Sequence, residues 1–235
     1  MKIALLGYGK MGQTIEKIAV SRGHEIAVIV DENTKEYDIT KADVAIDFSI
    51  PMVAVNNLSN CFKNGVPVVC GTTGWLEHYD AMVNLCNENK GGFIYASNYS
   101  LGVNIFFELN EHLAKMMKNL SQYDVTMEEI HHKQKLDEPS GTAITLAEGV
   151  INHTEKYAGW EVDKATEDVN IPIKAIRSPE VPGTHTVDYT SEVDSIEIKH
   201  TAHNRQGFAL GAVIAAEWLA KDKQGVFTMR DVLGL

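Results

Sequence analysis

Between residues 131 and 143 the chain reads HHKQKLDEPSGTA. Two histidines, His131 and His132, and two lysines, Lys133 and Lys135, precede Pro139-Ser140-Gly141-Thr142, which opens the helical pattern AITLAEGV. The first turn of a helix offers unpaired N–H donors and a partial positive charge, and Gly141 lets another group come close to the backbone. A small carboxylate is the natural guest of such a site. A bound anion favours a charged lysine, whereas neighbouring positive groups lower its pKa towards a range useful for proton donation. Each His or Lys alone reads as a solvated surface group; the clustering is what points to a proton-donor site. No metal is expected, because adjacent His131 and His132 point to opposite sides of a strand and no carboxylate–histidine helix motif accompanies them. No GxSxG elbow supports serine nucleophile chemistry.

The elements that must position this span follow from the hydrophobic pattern. YDVTMEEIHH is a β-rich strand that delivers the span at its end, after a long helix from about Val103 to Met117. Upstream, KIALLGYGKMGQTIEKIAVSRGHEIAVIVD reads as strand, glycine turn, helix and strand. The alternation continues through DVAIDFS, VPVVCGTTG and GFIYAS with helices between, which predicts five strands in a mostly parallel, doubly wound α/β sheet. Downstream, THTVDYT and DSIEIKHTA predict strands of a second α+β lobe built on a mixed sheet. The Ala-rich helix FALGAVIAAEWLAKD returns to pack on the first sheet. The expected domains are therefore residues 1–100 with 206–235, for dinucleotide binding, and residues 101–205, for substrate binding and oligomerisation. The span 153–174 is polar and weakly periodic and reads as a peripheral helix or loop.

The chain carries 235 residues and a formal net charge of -11, which argues against a broad basic face for nucleic acid. Cys61, Cys70 and Cys86 form no CxxC, sit in apolar contexts and suit the core of a protein in a reducing cytoplasm. The apolar run before Gly7 is too short for a signal peptide or a membrane span.

Gly7-Tyr8-Gly9-Lys10-Met11-Gly12 follows the GxGxxG pattern between a strand and a helix, where a backbone can approach a pyrophosphate. Asp31 ends the next strand, placed to accept hydrogen bonds from a ribose diol. Its carboxylate repels a 2′-phosphate and no Arg follows it, so NADH is favoured. Lys10 and Lys35 leave NADPH open. Gly71-Thr72-Thr73 and Ala96-Ser97-Asn98-Tyr99 follow the fourth and fifth strands, where ligands of doubly wound sheets bind, and are expected to line the nicotinamide side. Arg205, before the returning helix, is a candidate clamp for a second carboxylate or a brace at the lobe junction.

Taken together, the glycine loop, DVAIDFS, GTTG, ASNYSLGVN, EEIHHKQKLDEPSGTA and FALGAVIAAEWL resemble, in order and over nearly the whole chain, the 4-hydroxy-tetrahydrodipicolinate reductase family, with a Rossmann-type first domain. The resemblance implies NAD(P)H-dependent reduction of a cyclic dicarboxylate with loss of water, in lysine and diaminopimelate synthesis. It implies His131 and Lys135 as the acid/base pair, with Lys135 the proton donor, and His132, Gly141 and Thr142 as contacts to substrate carboxylate. It implies residues 71–73 and 96–99 as cofactor contacts, and a cytoplasmic homotetramer assembled through the second lobe's sheet. The chain departs from the family's usual pattern in a shorter glycine loop, in Lys10 where Arg is common, and in Glu138 where Ala is usual; Glu138 is expected to point to solvent. Two other readings share the cofactor lobe: a different two-lobed nicotinamide dehydrogenase acting on a small amino acid, and a non-catalytic NADH sensor. A substrate panel separates the first, and cofactor binding without hydride transfer marks the second.

Overall fold

The computed structural model describes residues 1–204 and 206–235. The chain divides into two compact units, one of Met1–Leu101 with Gln206–Leu235 and one of Gly102–Arg205.

In chain order the first unit begins β1 (Lys2–Leu6), α1 (Lys10–Ser21), β2 (Glu25–Val30), β3 (Val44–Asp47), α2 (Pro51–Lys63), β4 (Val68–Cys70), α3 (Tyr79–Glu88) and β5 (Gly92–Tyr95). The second unit follows, with α4 (Leu101–Met117), β6 (Asp124–His131), α5 (Gly141–Ile151), β7 (Gly159–Val162), β8 (Asn170–Arg177), β9 (Gly183–Thr190) and β10 (Ser195–Ala202). The chain then returns through α6 (Gln206–Leu219), β11 (Gly225–Phe227) and α7 (Met229–Leu233).

The first sheet has the order β11-β5-β4-β3-β1-β2, and every pair in it is parallel. Six strands form it rather than the five expected, because the three-residue β11 pairs with β5. Both faces of its strands are covered. Ala4, Leu6, Ala45, Val68 and Cys70 pack against α2 and α3 through Ala54, Leu58, Phe62 and Met82. Ile3, Leu5, Val44, Ile46 and Val69 pack against α1 and α6 through Ile15, Ala19, Ala212, Val213 and Ala216. The strands are therefore apolar at consecutive positions, as buried parallel strands must be. The small residues of α6 allow a close approach: a Cβ on Gly211 would stand 1.7 Å from the Tyr99 carbonyl oxygen. All three cysteines are buried and unpaired, and burial raises each thiol pKa.

Register matters most for function. Leu6 pairs with Val30 and with Asp47, Asp47 with Cys70, and Cys70 with Tyr95. Five strands thus end on one line, and Gly7, Asp31, Phe48, Gly71 and Ala96 all leave the sheet along the same edge. Strand order reverses at β1, which places the crevice for a ligand between the carboxyl ends of β1 and β3.

The second sheet is mixed, in the order β10-β9-β6-β8-β7: β6 is antiparallel to β9 and parallel to β8. Its core lies on one face, where Val125, Met127, Ile171, Ile173, Val187 and Tyr189 meet Phe106, Leu113 and Met117 of α4 and Leu146, Ala147 and Val150 of α5. The span 153–174, read as helix or loop, instead contains β7 and the start of β8. The next strand, parallel β8, gives β7 its partner, and the polar turn between them is fastened by Glu161, whose carboxylate accepts from the amide and hydroxyl of Thr166. Pro172 is tolerated in β8 because the β6 ladder starts only at Ile173. Among the described residues no helix is long and apolar enough to cross a membrane.

Candidate active site

At the edge of the first sheet the three loop glycines answer to different demands. Gly7 has φ +98°, and a Cβ there would lie 2.2 Å from the Phe48 carbonyl oxygen. A Cβ on Gly12 would lie 2.3 Å from the Gly7 carbonyl oxygen. Both are required by packing at the switch point. Gly9, the residue before α1, has nothing within 4 Å of a Cβ and no positive φ, so the fold itself does not demand glycine there. Open space beside the N-terminus of α1 is what a bound pyrophosphate needs. Tyr8 donates its hydroxyl hydrogen to Glu16, Met11 packs on the core, and Lys10 is exposed.

Asp31 follows β2 and caps its own turn: Oδ1 accepts from Asn33 N at 3.0 Å and from Thr34 Oγ1 at 2.7 Å. The Thr34 hydroxyl and the Asn33 amide hold this carboxyl below the usual carboxylate range. Gly71 is required by the ring of Phe48, 2.3 Å from where a Cβ would be. Thr72 is buried: its hydroxyl donates to Asp47 Oδ1 at 3.3 Å and accepts from Ser49 N at 2.8 Å, joining the turns after β3 and β4, while Thr73 is exposed. Asp47 is itself fully buried, and desolvation raises its pKa to about 6. Ala96 and Ser97 lie on the same edge, and Asn98 accepts from Ser100 N at 2.9 Å. Tyr99 does not offer its side chain there. Its ring is in the core and its hydroxyl donates to the Cys70 carbonyl at 2.8 Å, so only its backbone is available to a ligand.

In the second unit, β6 ends at His131, which is buried, with His132 just beyond it. The Lys135 amide turns back onto the His132 carbonyl at 3.1 Å, and Lys135 Nζ pairs with Asp137 Oδ2 at 2.8 Å. Lys133 and Glu138 are exposed. Ser140 caps α5: its Oγ accepts from Ala143 N at 3.2 Å, and its carbonyl accepts from Ile144 N at 3.0 Å. The amides of Gly141 and Thr142 are then the ones that the helix does not use. Gly141 has open space where a Cβ would be and no positive φ.

Beneath these groups lies a network of groups not singled out in the sequence. Glu129 has no exposed surface and accepts from Ser140 N at 2.9 Å and from Arg177 Nη1 at 3.2 Å. Arg177 Nη2 also donates to the Asp137 carbonyl at 2.7 Å. His185 of β9 stands against Ser140 Oγ at 3.1 Å, and its ring meets that of His131 edge-on at 5.0 Å between centroids. Burial lowers the pKa of His131, with Glu129 opposing and Lys135 and Arg177 reinforcing the shift. Burial, and then His131, bring His185 down to about 3. The signal for Glu129 was present in EEIHH: positions 129 and 131 share one face of a strand. Arg177 and His185 come from other strands, and only the register brings them in. Glu129, His131 and His185 offer ligand-type atoms within 4.8 Å of one another, a grouping that does not involve His132. Arg205 lies outside the described residues.

Two family models divide the chain: one described as dihydrodipicolinate reductase, N-terminus, matches residues 1–99, and one described as dihydrodipicolinate reductase, C-terminus, matches residues 102–233. The chain belongs to the dihydrodipicolinate reductase family. A 4-hydroxy-tetrahydrodipicolinate reductase of Christiangramia forsetii is 58% identical over 99% of this chain and 98% of the relative. One from Archaeoglobus fulgidus is 37% identical over 99% of this chain and all of the relative (100%). Among solved structures, a dipicolinate-bound dihydrodipicolinate reductase from Paenisporosarcina sp. TG-14 has a TM-score of 0.79 at 24% identity, covering 97% of each chain. At that identity the likeness speaks for the fold of this dihydrodipicolinate reductase family member. A probable dehydrogenase from Thermotoga maritima, at 9% identity and a TM-score of 0.60, covers 99% of this chain and 92% of its own and shares the architecture alone.

Proposed function

We infer that the protein catalyses the NAD(P)H-dependent reduction of 4-hydroxy-tetrahydrodipicolinate to tetrahydrodipicolinate with loss of water, a step of lysine and diaminopimelate synthesis. Family membership supports the reaction. The observation that carries the assignment of residues is the second unit's juxtaposition of His131 and Lys135 with the unused amides of Gly141 and Thr142.

The first unit holds the cofactor. Gly9 lets the pyrophosphate approach the start of α1 among residues 7, 8 and 10–12, while Gly71, Thr72, Thr73 and residues 96–99, further along the common edge of the sheet, line the nicotinamide side. When bound, the nicotinamide supplies the hydride. Asp31 accepts from the adenosine ribose, and its second oxygen remains for the diol once Oδ1 is taken by its own turn. Held in the ionised form, this carboxylate disfavours a 2′-phosphate, so NADH is the preferred cofactor.

The second unit holds the substrate. The amides of Gly141 and Thr142, with His132, bind a ring carboxylate at the positive end of α5. Lys135 delivers the proton that completes the carbon next to the one reduced, and His131 acts with it as acid/base partner. Asp137 keeps the Lys135 ammonium at the site through their 2.8 Å pair. Assembly into a cytoplasmic homotetramer through the second unit's sheet is part of the same reading. The test is the oxidation of NADH with substrate freshly made by the preceding synthase, beside Lys135→Ala: loss of turnover with retained cofactor binding supports the assignment, and unchanged turnover removes Lys135 from it.

A further inference from the structure

Glu129 is a fully buried carboxylate on which four polar groups converge. Ser140 N at 2.9 Å, His131 Nδ1 at 3.5 Å and His185 Nε2 at 3.8 Å approach Oε2, and Arg177 Nη1 at 3.2 Å approaches Oε1. It thereby joins the end of β6, which carries His131, to the start of α5, which carries Gly141 and Thr142. His131 Nδ1 is a buried nitrogen with no hydrogen-bond partner other than what this carboxylate offers electrostatically. On the other side of the ring, a Cβ on Gly183 would come within 3.1 Å of Nε2, so glycine there keeps that edge uncrowded.

We propose that Glu129 is a positioning residue for the reduction: it holds the neutral imidazole of His131 with its proton on Nδ1, leaving the Nε2 lone pair to exchange protons, and it fixes the carboxylate-binding start of α5 to the same strand. The proposal rests on the acid/base role given to His131 above. It extends to this pair the general rule that a base is oriented by a third group behind it. A metal held by Glu129, His131 and His185 is disfavoured, because both Glu129 oxygens already accept hydrogen bonds and the Arg177 guanidinium repels a cation at that distance.

The groups that face His131 are Glu129 on its own strand, Lys135 and Asp137 in the following loop, Arg177 on β8 and His185 on β9. Glu129 and Asp137 raise its proton affinity, whereas burial, Lys135 and Arg177 lower it. Removing the charge of Glu129, an adjacent opposite charge, therefore moves the titration of His131 to lower pH.

Two measurements test this. Imidazole nitrogen NMR on the wild-type protein, which needs no variant, is expected to find neutral His131 protonated on Nδ1; protonation on Nε2 overturns the proposal. In Glu129→Gln, kcat is expected to fall roughly 10–100-fold, the usual scale for a group behind the reacting one. The NADH KM should hold, the acid limb of the pH profile should move down, and Glu129→Asp should recover part of the rate. A Gln variant that loses only thermal stability, with kcat and the His131 titration unmoved, makes Glu129 structural and overturns the proposal. A His131→Gln variant with full turnover, even where the Nδ1 tautomer is found, overturns instead the role of His131 on which the proposal rests.

Discussion

Replacing Gly141 by alanine separates what the fold needs from what the substrate needs. Nothing stands within 4 Å of the added Cβ and φ at this position is not positive, so the methyl group enters without strain. Gly141 is the first residue of α5, and an alanine that the backbone accepts stabilises a chain by roughly 0.4–1 kcal/mol through the unfolded state. For a protein of this size that raises Tm by about 1–4 °C. The same methyl fills the space through which a carboxylate must reach the amides of residues 141 and 142. A substrate KM at least about tenfold higher, equivalent to roughly 1.4 kcal/mol, is expected, with the NADH KM unchanged. Gly149→Ala on the same helix is the control: its Cβ would meet Asn110 Nδ2 at 3.0 Å, so it should lose about 1 kcal/mol and leave KM alone. Calorimetry beside initial-rate kinetics reads both quantities. A Gly141→Ala enzyme with a raised Tm and an unchanged substrate KM would show that the substrate does not approach this turn, and the reasoning would fail.

Two further predictions concern charge. Asp31→Ser removes the carboxylate that faces a ribose phosphate and should shift the NADH/NADPH ratio of kcat/KM towards NADPH by roughly tenfold or more; an unmoved ratio places cofactor selection elsewhere. His185 binds a proton at its ordinary 6.5 when unfolded but only near about 3 when folded, so the unfolded chain holds more protons across that window. Stability is full above 6.5 and is lost as pH falls towards 3, by up to about 5 kcal/mol for this group alone. Urea unfolding between pH 7 and 4.5, followed by Trp160 in the same unit, should show the loss, and His185→Gln should flatten it; parallel curves for the two proteins would contradict the assignment.

Local pattern is what the sequence makes legible. The βαβ alternation, the glycine loop, Asp31 and the helix start at Ser140 each follow from periodicity or from turn and cap chemistry within a few residues. β11 and β7 escape because strands of three and four residues carry too little alternation; β11 also takes its partner, β5, from far along the chain, whereas β7 pairs with β8 across a polar, weakly periodic turn. The same holds at the site. His131 and Lys135 stand out by type, but Arg177 and His185 enter only through the pairing of β8 and β9 with β6. Tyr99 shows the converse: its position in ASNYS suggests a ligand contact, yet its ring fills the core and its hydroxyl is bound to Cys70. A motif tells which residues gather, not which way each side chain turns.

The most direct test of the central claim is the initial rate of NADH oxidation with freshly generated 4-hydroxy-tetrahydrodipicolinate, measured for the wild type and for Lys135→Ala at equal cofactor occupancy. Rapid oxidation is expected in the wild type, falling by roughly two to four orders of magnitude in the variant. Oxidation at the same rate in both proteins, or none in the wild type with NADH bound, would contradict it.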